Sequence, residues 1–506
     1  MSIGAAQTAM ASGTASARTL VDAFLRRIAA LDGAGPALNS VIELNPEALA
    51  IAEALDAERR ARGPRGPLHG IPIMLKDNID TADKMMTTAG SLALAGSFAR
   101  DDAFVARRLR EAGAVILGKA NLSEWANFRS TRSTSGWSSR GGLTKNPYAL
   151  DRNPSGSSSG SAVAVAANLC VAAVGTETDG SIISPSSRNG VVGLKPTVGL
   201  VSRCGIVPIA HSQDTAGPIA RGVHDVAVLL SAMVGADEGD AATATSQGRT
   251  EADYTRFLDS DGLRGARIGV ARNFFGFDWR VDRIMEASLA VMRGLGAELV
   301  DPVNLETTSS LRGPEAEVLD FEFKHDLNRY LGALGPGAPV HSLADVIAFN
   351  EANRSEVMPF FGQERLLQAE AKGPLTDDAY LVALRTSKEL SRDKGIDAAL
   401  AEHRLDALVA PSGGPAAVTD LVNGDNRGGG GSSSIAAVAG YPSVTLPAGY
   451  VFGLPVGISF FGGAFQEGML LKLAFAFEYA TKMRRPPQFL PSADLASLVV
   501  EAGRSG

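Results

Sequence analysis

Residues 153–202 read NPSGSSSGSAVAVAANLCVAAVGTETDGSIISPSSRNGVVGLKPTVGLVS, and this stretch decides the fold. It begins with SGSSSGS, residues 155–161, whose five serines and two glycines would equally suit a flexible linker. The residues that follow argue against a linker. SAVAVAANL is typical of a packed helix of small side chains, and VAAVGTETDGS is typical of a strand that ends in a turn. We therefore interpret the serine-rich segment as a loop inside a domain.

The same helix and strand predict which serines lie close together. A helix of about ten residues rises about 15 Å, and a strand of about five residues covers about 16 Å on its way back. If the two run antiparallel, Ser181 returns to the side of Ser157, Ser158 and Ser159. The sequence thus predicts a cluster of hydroxyl groups at one end of the helix.

A cluster of serines needs a base before it can act as a nucleophile, because a neutral hydroxyl must lose its proton. A lysine can serve only when burial or nearby positive charge destabilises its ammonium form. Lys76 follows the apolar run GIPIML and is the lysine whose setting best predicts burial. Lys119 and Lys195 also follow apolar residues, but GKAN and LKPT offer no second reason to choose them. Composition alone favours the interpretation of Lys76 as a strand-end lysine that reaches solvent.

Three other motif matches are weaker. GAVILGKA, residues 113–120, fits the spacing of a phosphate-binding loop, but Ala120 stands where a magnesium-binding Ser or Thr is needed and its middle predicts a strand. GSSSG, residues 156–160, makes Ser158 the nominal nucleophile of a GxSxG elbow, but the preceding NPYALDRNP is turn-like and no strand leads into it. Cys170 lies in an apolar run that favours a packing role.

Composition narrows the classes of partner. The chain has 506 residues, of which 45% are hydrophobic and 20% charged, with a formal net charge of −7 and no block of Lys or Arg. These values predict a folded protein with a small-molecule or peptide partner, and they exclude a nucleic-acid or membrane surface. Two cysteines and six histidines without metal-ligand spacing imply no metal. No leader or membrane-length apolar run is visible, so we expect a cytoplasmic protein. The oligomeric state is left open.

The order of elements predicts an α/β protein whose sheet has parallel segments, and no linker clearly divides the chain. NGDNRGGGGSSS, residues 423–434, is interpreted as a mobile loop within the domain. Helices are predicted at 16–33, 46–63, 101–113 and 281–296, and strands at 71–75, 114–121, 266–271, 405–412 and 442–449.

Taken together, these segments resemble the signature of the amidase signature family of serine hydrolases. The resemblance rests on residues 153–202 and extends to GIPIMLKDNID, GKANLSEWANF, SQDTAGPIAR and AAVAGYPSVTLPAGYVFGLPVGISFFG, so it covers most of the chain. Within the family the chain is most similar to the peptide amidases, which share ETDGS and LSEWANFR.

The resemblance implies a single domain over residues 1–506, an α/β/α fold with a central mixed sheet covered by helices on both faces. Its signature core would span about 65–230. A variable middle region at about 250–400 would shape the substrate site, and the chain would return to the sheet at about 403–490.

The resemblance also implies a Ser-cisSer-Lys triad that requires no cofactor. Ser181 would be the nucleophile, Ser157 the bridging serine held by a cis peptide bond, and Lys76 the base. The oxyanion would be met by backbone N–H groups of the turn formed by Thr178, Asp179, Gly180 and Ser181.

Two departures from the family pattern bear on the substrate. The family often has Gly-Gly-Ser at the nucleophile, whereas this chain has Asp179, Gly180 and Ser181, as the peptide amidases do. Ser184 stands where members that act on small carboxylate-bearing amides or on charged tRNA tend to carry Arg, so no carboxylate clamp is expected there. We predict a substrate pocket lined by Trp125, Phe128, Ser158 and Trp137, with residues 320–335 covering its entrance.

The leading hypothesis is an amidase that hydrolyses a carboxamide or peptide amide to an acid and ammonia or an amine. Within the family, the alternatives are an aryl-amide or xenobiotic amidase or esterase, and then a tRNA amidotransferase subunit. Outside it, a nucleotide-binding module built on GAVILGKA and a catalytically silent binding protein remain open.

Overall fold

The computed structural model of the chain describes residues 1–426, 430–497 and 499–501, the last three by their backbone only. The predicted mobile loop at 423–434 includes residues 427–429, which lie outside the described residues. The α helices are α1 (Ile3–Ala11), α2 (Ala17–Leu31), α3 (Ala48–Arg62), α4 (Phe104–Glu111), α5 (Ser159–Ala166), α6 (Ile183–Arg188), α7 (Val223–Met233), α8 (Trp279–Gly294), α9 (Arg312–Gly332), α10 (Leu343–Ala352), α11 (Arg354–Val357), α12 (Glu364–Glu370), α13 (Asp378–Lys388), α14 (Asp397–His403), α15 (Ser433–Ala439) and α16 (Glu467–Thr481), with a π-helical segment (Glu389–Ile396) between α13 and α14.

The strands supply one large sheet and one small one. They are β1 (Val41–Leu44), β2 (Pro72–Lys76), β3 (Val115–Ala120), β4 (Trp137–Ser138), β5 (Gly142–Leu143), β6 (Ala172–Glu177), β7 (Val192–Lys195), β8 (Thr215–Ala220), β9 (Arg267–Val270), β10 (Glu298–Val300), β11 (Ala407–Pro411), β12 (Ser443–Val451), β13 (Leu454–Phe461) and β14 (Val499–Glu501).

The large sheet has 12 strands in the order β1-β3-β2-β6-β8-β7-β12-β13-β11-β9-β10, with β14 beside β12. Strands β3, β2 and β6 are parallel neighbours, as are β11, β9 and β10. The other pairs are antiparallel. Helices α5, α6, α7, α8 and α16 pack against these strands. The chain thus forms a single α/β domain with a mixed central sheet flanked by helices, as predicted.

The sheet order explains where a site can form. Strands β2 and β6 are adjacent and parallel, so their carboxyl ends lie at the same edge of the sheet. Lys76 ends β2 and Glu177 ends β6, and the turn that carries Ser181 follows at once. Residues separated by about a hundred positions therefore meet at this edge.

The predicted elements are all found, with ends that differ by a few residues. Helix α5 shows the largest consequence: it begins at Ser159, inside the serine-rich segment, rather than after it. Predicted helices 16–33, 46–63, 101–113 and 281–296 correspond to α2, α3, α4 and α8, and the predicted strands correspond to β2, β3, β9, β11 and β12.

Helix α1 and strand β1 were not predicted. Helix α1 buries only Ile3, Ala6 and Met10 and is capped by the side chain of Ser2, so its apolar pattern is too sparse to be recognised. The division of this single domain into a signature core, a variable middle region and a C-terminal return to the sheet stays a prediction. In the described parts of the chain, no helix combines the length and apolar character that a membrane crossing requires.

Candidate active site

Lys76 is fully buried at the end of β2. Its Nζ donates hydrogen bonds to Ser157 Oγ at 2.7 Å, Thr176 Oγ1 at 2.8 Å and Thr176 O at 3.2 Å. Burial lowers the pKa of this ammonium to about 7, although the carboxylates of Asp214 and Glu177 act in the opposite direction. A large fraction of Lys76 is therefore neutral near pH 7, which is the form that can accept a proton.

Ser157 is also fully buried, and the peptide bond between Gly156 and Ser157 is cis. The carbonyl oxygen of Ser157 accepts from the backbone N–H of Ser123 at 3.1 Å. A Cβ atom at position 156 would lie 2.2 Å from Ser123 Oγ, so only glycine fits there. The backbone thus holds the Ser157 hydroxyl beside Lys76.

The next serines hold the loop in place. Ser158 Oγ donates to Thr176 O at 3.0 Å and accepts from Thr176 N at 3.2 Å. Ser159 Oγ donates to Ser155 O at 2.6 Å. Ser158, the nominal nucleophile of the GxSxG match, therefore binds the backbone of β6 and fixes the start of α5.

Ser181 lies beside this run, as the helix and strand lengths predict. The backbone N–H of Ser158 donates to Ser181 O at 3.1 Å. Ser181 Oγ makes no hydrogen bond with another side chain or backbone group in the described parts of the chain. Ser181 lines a cavity of about 510 Å³, which we name the Ser181 cavity. Its hydroxyl group is thus accessible to a substrate carbonyl.

The turn before Ser181 is shaped to present backbone N–H groups. Gly180 has φ of 74°, and a Cβ atom there would also lie 2.9 Å from Ser433 Oγ. Glu177 Oε2 accepts from the N–H groups of Ile182 and Ile183 at 2.6 and 2.9 Å. The backbone N–H groups of residues 179–181, which lie between Glu177 and Ile182 in the chain, have no acceptor among the described residues. This arrangement suits an oxyanion.

The predicted substrate pocket is found only in part. Phe128 lines the Ser181 cavity, whereas Trp125, Trp137 and Ser158 are not among its lining residues. Trp137 packs edge-on against Phe361 and lies 5.0 Å below the guanidinium of Arg129. Local composition indicates aromatic side chains here, but it does not indicate which of them faces the cavity.

Helix α9 forms part of the cavity wall and covers the turn. The predicted entrance segment at 320–335 falls mostly within α9. The residues of α9 that line the Ser181 cavity come instead from the first half of the helix and are Arg312, Glu315, Ala316 and Leu319.

A set of hydrogen bonds that the sequence did not predict links α9 to the turn of residues 178–181, here named the oxyanion turn. Gln213 Nε2 donates to Thr178 O at 3.3 Å and to Glu315 Oε1 at 3.1 Å. Burial and the neighbouring carboxylate of Asp179 raise the pKa of Glu315. Asp179 itself accepts from the hydroxyls of Ser433 and Ser434 at 2.8 and 2.7 Å. Gln213 belongs to the SQDTAGPIAR motif, but nothing in that motif signals a partner on α9.

Among the described residues, one group of side chains has the composition of a metal site: His211, Glu322 and Asp326. His211 Nδ1 lies 2.7 Å from Asp326 Oδ2 and its Nε2 lies 3.4 Å from Glu322 Oε1. Burial lowers the pKa of His211, but the hydrogen bond to Asp326 and both carboxylate charges outweigh it and raise the pKa overall. The imidazole therefore lies between two carboxylates that favour its protonated form.

The remaining motif residues have structural contacts. GAVILGKA forms β3, and Lys119 Nζ donates to Ile79 O at 2.6 Å and Thr87 Oγ1 at 3.0 Å. Lys195 Nζ donates to Pro196 O at 2.9 Å. Burial raises the pKa of the Cys170 thiol to about 12. These contacts favour packing roles for all three over phosphate binding or nucleophilic attack.

Comparisons with known proteins identify the family and agree with the fold. The family model described as Amidase matches residues 19–471. A probable amidase of Arabidopsis thaliana is 46% identical over 484 residues, which cover 94% of this chain and 89% of the relative. The native peptide amidase from Stenotrophomonas maltophilia is 52% identical with a TM-score of 0.92, covering 97% of this chain and 98% of that one. A peptide amidase in complex with the competitive inhibitor chymostatin is 53% identical with a TM-score of 0.94, covering 96% and 99%.

Proposed function

The chain belongs to the amidase family and hydrolyses amide C–N bonds, and we propose that it does so on carboxamides or peptide amides through Lys76, Ser157 and Ser181. The observation that carries the proposal is the 2.7 Å hydrogen bond from the buried Lys76 Nζ to Ser157 Oγ, next to the turn that bears Ser181. A lysine with a pKa of about 7 and the serine that it contacts form an activated pair rather than a structural one.

Acylation uses the neutral amine of Lys76. Lys76 takes the proton of Ser157, Ser157 takes that of Ser181, and Ser181 Oγ forms a bond to the carbonyl carbon. The carbonyl oxygen becomes an oxyanion that the N–H groups of the turn stabilise. When the C–N bond breaks, the relay returns one proton to the leaving nitrogen, so ammonia or an amine departs and the acyl group stays on Ser181.

Deacylation reverses the relay with water in place of the amine. Water attacks the ester carbon of the acyl-enzyme and gives one proton to the relay, and that proton returns to Ser181 Oγ as the C–O bond breaks. The product is a carboxylic acid, and Lys76, Ser157 and Ser181 regain their starting states. Protons move only among these three residues and the substrate or water, and the N–H groups of the turn stabilise the oxyanion in both steps.

The substrate class follows from the cavity and from the relatives. The Ser181 cavity of about 510 Å³ is large enough for a short peptide and has both charged and apolar walls, with Arg132, Arg312 and Phe128 among the lining residues. Two of the structures that match this chain are named peptide amidases. These observations favour a peptide amide over an aryl amide.

The test is chemical labelling followed by assay. We expect a fluorophosphonate to form one adduct, located on Ser181 by mass spectrometry, because the reagent reacts only with an activated serine. Ser181→Ala should take up no label and release no ammonia from peptide amides. A matched control is Ser158→Ala, which removes a neighbouring hydroxyl and should still be labelled at position 181.

Two results would contradict the proposal. One is an adduct on Ser158 or on no serine of the active protein. The other is a labelled enzyme that releases neither ammonia nor amine from a panel of C-terminal peptide amides, simple carboxamides and anilides.

A further inference from the structure

A second cavity adjoins the Ser181 cavity. Its volume is about 740 Å³, and we name it the Asn78 cavity after a residue that lines it. The two cavities share three lining residues, Ala126, Thr178 and Ile209, so they meet at the turn. The mechanism derived above uses only the first of them.

The two cavities reach different sides of the reacting groups. Asp179, Gly180 and Ser181 line the Ser181 cavity but not the Asn78 cavity. Asn78 and Thr176 line the Asn78 cavity but not the Ser181 cavity. The nucleophile and oxyanion turn thus face one cavity, while the groups that surround the base face the other.

Asn78 and Thr176 connect this second cavity to Lys76. Thr176 Oγ1 accepts from Lys76 Nζ at 2.8 Å and from Asn78 Nδ2 at 3.0 Å. Asn78 is only 2% exposed, and its Oδ1 has no hydrogen-bond partner in the described parts of the chain. A buried amide oxygen of this kind calls for a small N–H or O–H donor.

The charges of the Asn78 cavity favour a small cation over an anion. Four carboxylates line it against two guanidinium groups, and its single histidine is bonded to one of those carboxylates. The carboxylates are Asp214, Glu238, Asp240 and Asp326, the guanidiniums Arg203 and Arg329, and the histidine His211.

The reaction places the leaving nitrogen on this side. That nitrogen takes its proton from Ser157, so it must lie next to Ser157 when the C–N bond breaks, while the acyl group stays on Ser181. Ser157 is bonded to Lys76, and Thr176, the other partner of Lys76, lines the Asn78 cavity. We propose that the Asn78 cavity is the exit route for the leaving ammonia or small amine. The inference rests on the proposed function and assigns the second cavity to its leaving group.

An exposed cysteine in the Asn78 cavity allows this route to be tested by chemical modification. Cys204 lines the Asn78 cavity and is exposed, whereas Cys170, the other cysteine, is fully buried. A thiol reagent should therefore modify only Cys204 in the folded enzyme. A bulky aromatic methanethiosulfonate fills the cavity. Methyl methanethiosulfonate forms the same disulfide on the same atom with a small group and serves as the control, and Cys204→Ser gives a protein with no accessible thiol.

We expect the bulky adduct to lower kcat for a peptide carboxamide by about tenfold, because a blocked exit makes product release slow. The loss should grow from the carboxamide to the N-methylamide of the same peptide and should not depend on the length of the acyl peptide. The methyl adduct should change kcat by less than about twofold, and Cys204→Ser should be insensitive to both reagents.

Two results overturn the route while leaving the proposed function intact. One is a fully labelled enzyme, verified by mass spectrometry, that turns over every amide at the unlabelled rate. The other is a loss that appears as a higher KM and grows with acyl length, which would place the acyl chain in the Asn78 cavity. An unlabelled enzyme that releases no ammonia from any amide overturns the proposed function, and the exit route with it.

Discussion

The two walls of the Ser181 cavity are built in different ways. One wall lies at the carboxyl ends of β2 and β6 and presents Ser181, with Lys76 and Ser157 fully buried next to it and bonded to each other and to strand backbone. Part of the remaining wall is α9, which reaches the turn before Ser181 through the hydrogen bond of Gln213 to Glu315 and through Glu315 beside Asp179.

This difference separates the chemistry from the fit of the substrate. Groups held by several hydrogen bonds to a sheet edge keep their geometry whatever is bound, which acyl transfer requires. A helix that meets the site through few contacts can vary without disturbing that geometry. The first wall should therefore govern kcat, and the second should govern KM and substrate choice, except at Glu315, which holds the turn before Ser181 through Gln213. The variants below test this division, beginning with the largest expected effect.

Replacing the base should have the largest effect. Lys76→Met keeps an unbranched side chain of similar length in the buried position but removes the proton acceptor. We expect kcat for peptide amides to fall by about 10⁴-fold or more, because members of a nucleophile relay act as a unit. The loss of its hydrogen bonds to Ser157 and Thr176 should also lower the free energy of unfolding by about 1 to 3 kcal/mol, as in the control below. Ammonia release and thermal unfolding give the two measurements.

Lys119→Met is the matched control, because Lys119 is equally buried but bonds Ile79 and Thr87 instead of Ser157. It should leave the acceptors of Ile79 and Thr87 unpaired and lower the free energy of unfolding by about 1 to 3 kcal/mol. Its kcat should stay within about tenfold of the parent. Equal losses of kcat in the two variants would show that Lys76 acts by packing.

The next variant breaks the hydrogen-bonded link that runs from α9 through Gln213 to the turn before Ser181. Glu315→Leu removes the acceptor for Gln213 Nε2 and frees the amide that also holds Thr178 O. We expect kcat to fall between about ten- and a hundredfold with KM little changed, because a small displacement of the oxyanion donors weakens the transition state selectively.

Glu315→Gln is the conservative partner of that variant. It retains an acceptor for Gln213 and removes a carboxyl group whose pKa is raised beside Asp179. It should keep kcat within about threefold of the parent and flatten any loss of activity at alkaline pH. If Glu315→Gln is as slow as Glu315→Leu, the carboxyl group does more than position the turn.

The pH dependence of kcat/KM tests a smaller effect in the first wall, which is the influence of nearby carboxylates on the pKa of Lys76. Activity needs neutral Lys76, so kcat/KM should rise with pH through an inflection near the pKa of about 7. Asp214, whose own pKa burial raises to about 6, is charged above that pH and raises the pKa of Lys76, as does Glu177. Asp214→Asn removes one of these charges, so the inflection should move to lower pH by less than about one unit.

Asp425→Asn is the control for this shift, since Asp425 lines the Ser181 cavity but bonds Ser135 and Asn153 instead of approaching Lys76. Its inflection should match that of the parent. An inflection that stays in place or rises in Asp214→Asn would assign the acid limb to another group.

The first wall could be predicted because its signals are local. An apolar run ending at Lys76 predicts burial, and the lengths of α5 and β6 predict that Ser181 returns to the serine-rich segment, where the structure brings Ser158 N and Ser181 O together. The alternation of elements likewise predicts parallel segments in the sheet, although it does not give the strand order. Each of these inferences needs only the residues within one or two elements.

The contacts of the second wall could not be predicted because their residues carry no local signal. Gln213 and Glu315 are separated by 102 positions, but distance alone is not the cause, since Lys76 and Ser157 are 81 positions apart and each lies in a recognisable segment. A buried carboxyl group such as Glu315 looks like any helix-surface acid in the sequence, since nothing near it signals a partner. The same limit affects aromatic residues, whose orientation depends on packing across the domain.

Phe128 and Trp137 offer the smallest and finest test of the division between the walls. Phe128 lines the cavity and packs on α9 through Phe323, at a ring distance of 4.7 Å, whereas Trp137 packs on Phe361 and Arg129 away from it. Phe128→Leu should raise KM for peptide amides with apolar residues by about threefold and leave kcat unchanged.

Trp137→Phe should leave KM unchanged and lower the free energy of unfolding by about 1 to 2 kcal/mol, because it loses ring area and part of its contact with Arg129. Steady-state kinetics with a series of peptide amides, together with denaturant unfolding of both variants, would separate the two roles. A KM effect at Trp137 equal to that at Phe128 would mean that substrate reaches beyond the Ser181 cavity, and the wall that selects substrate would then include the loop before the serine-rich segment as well as α9.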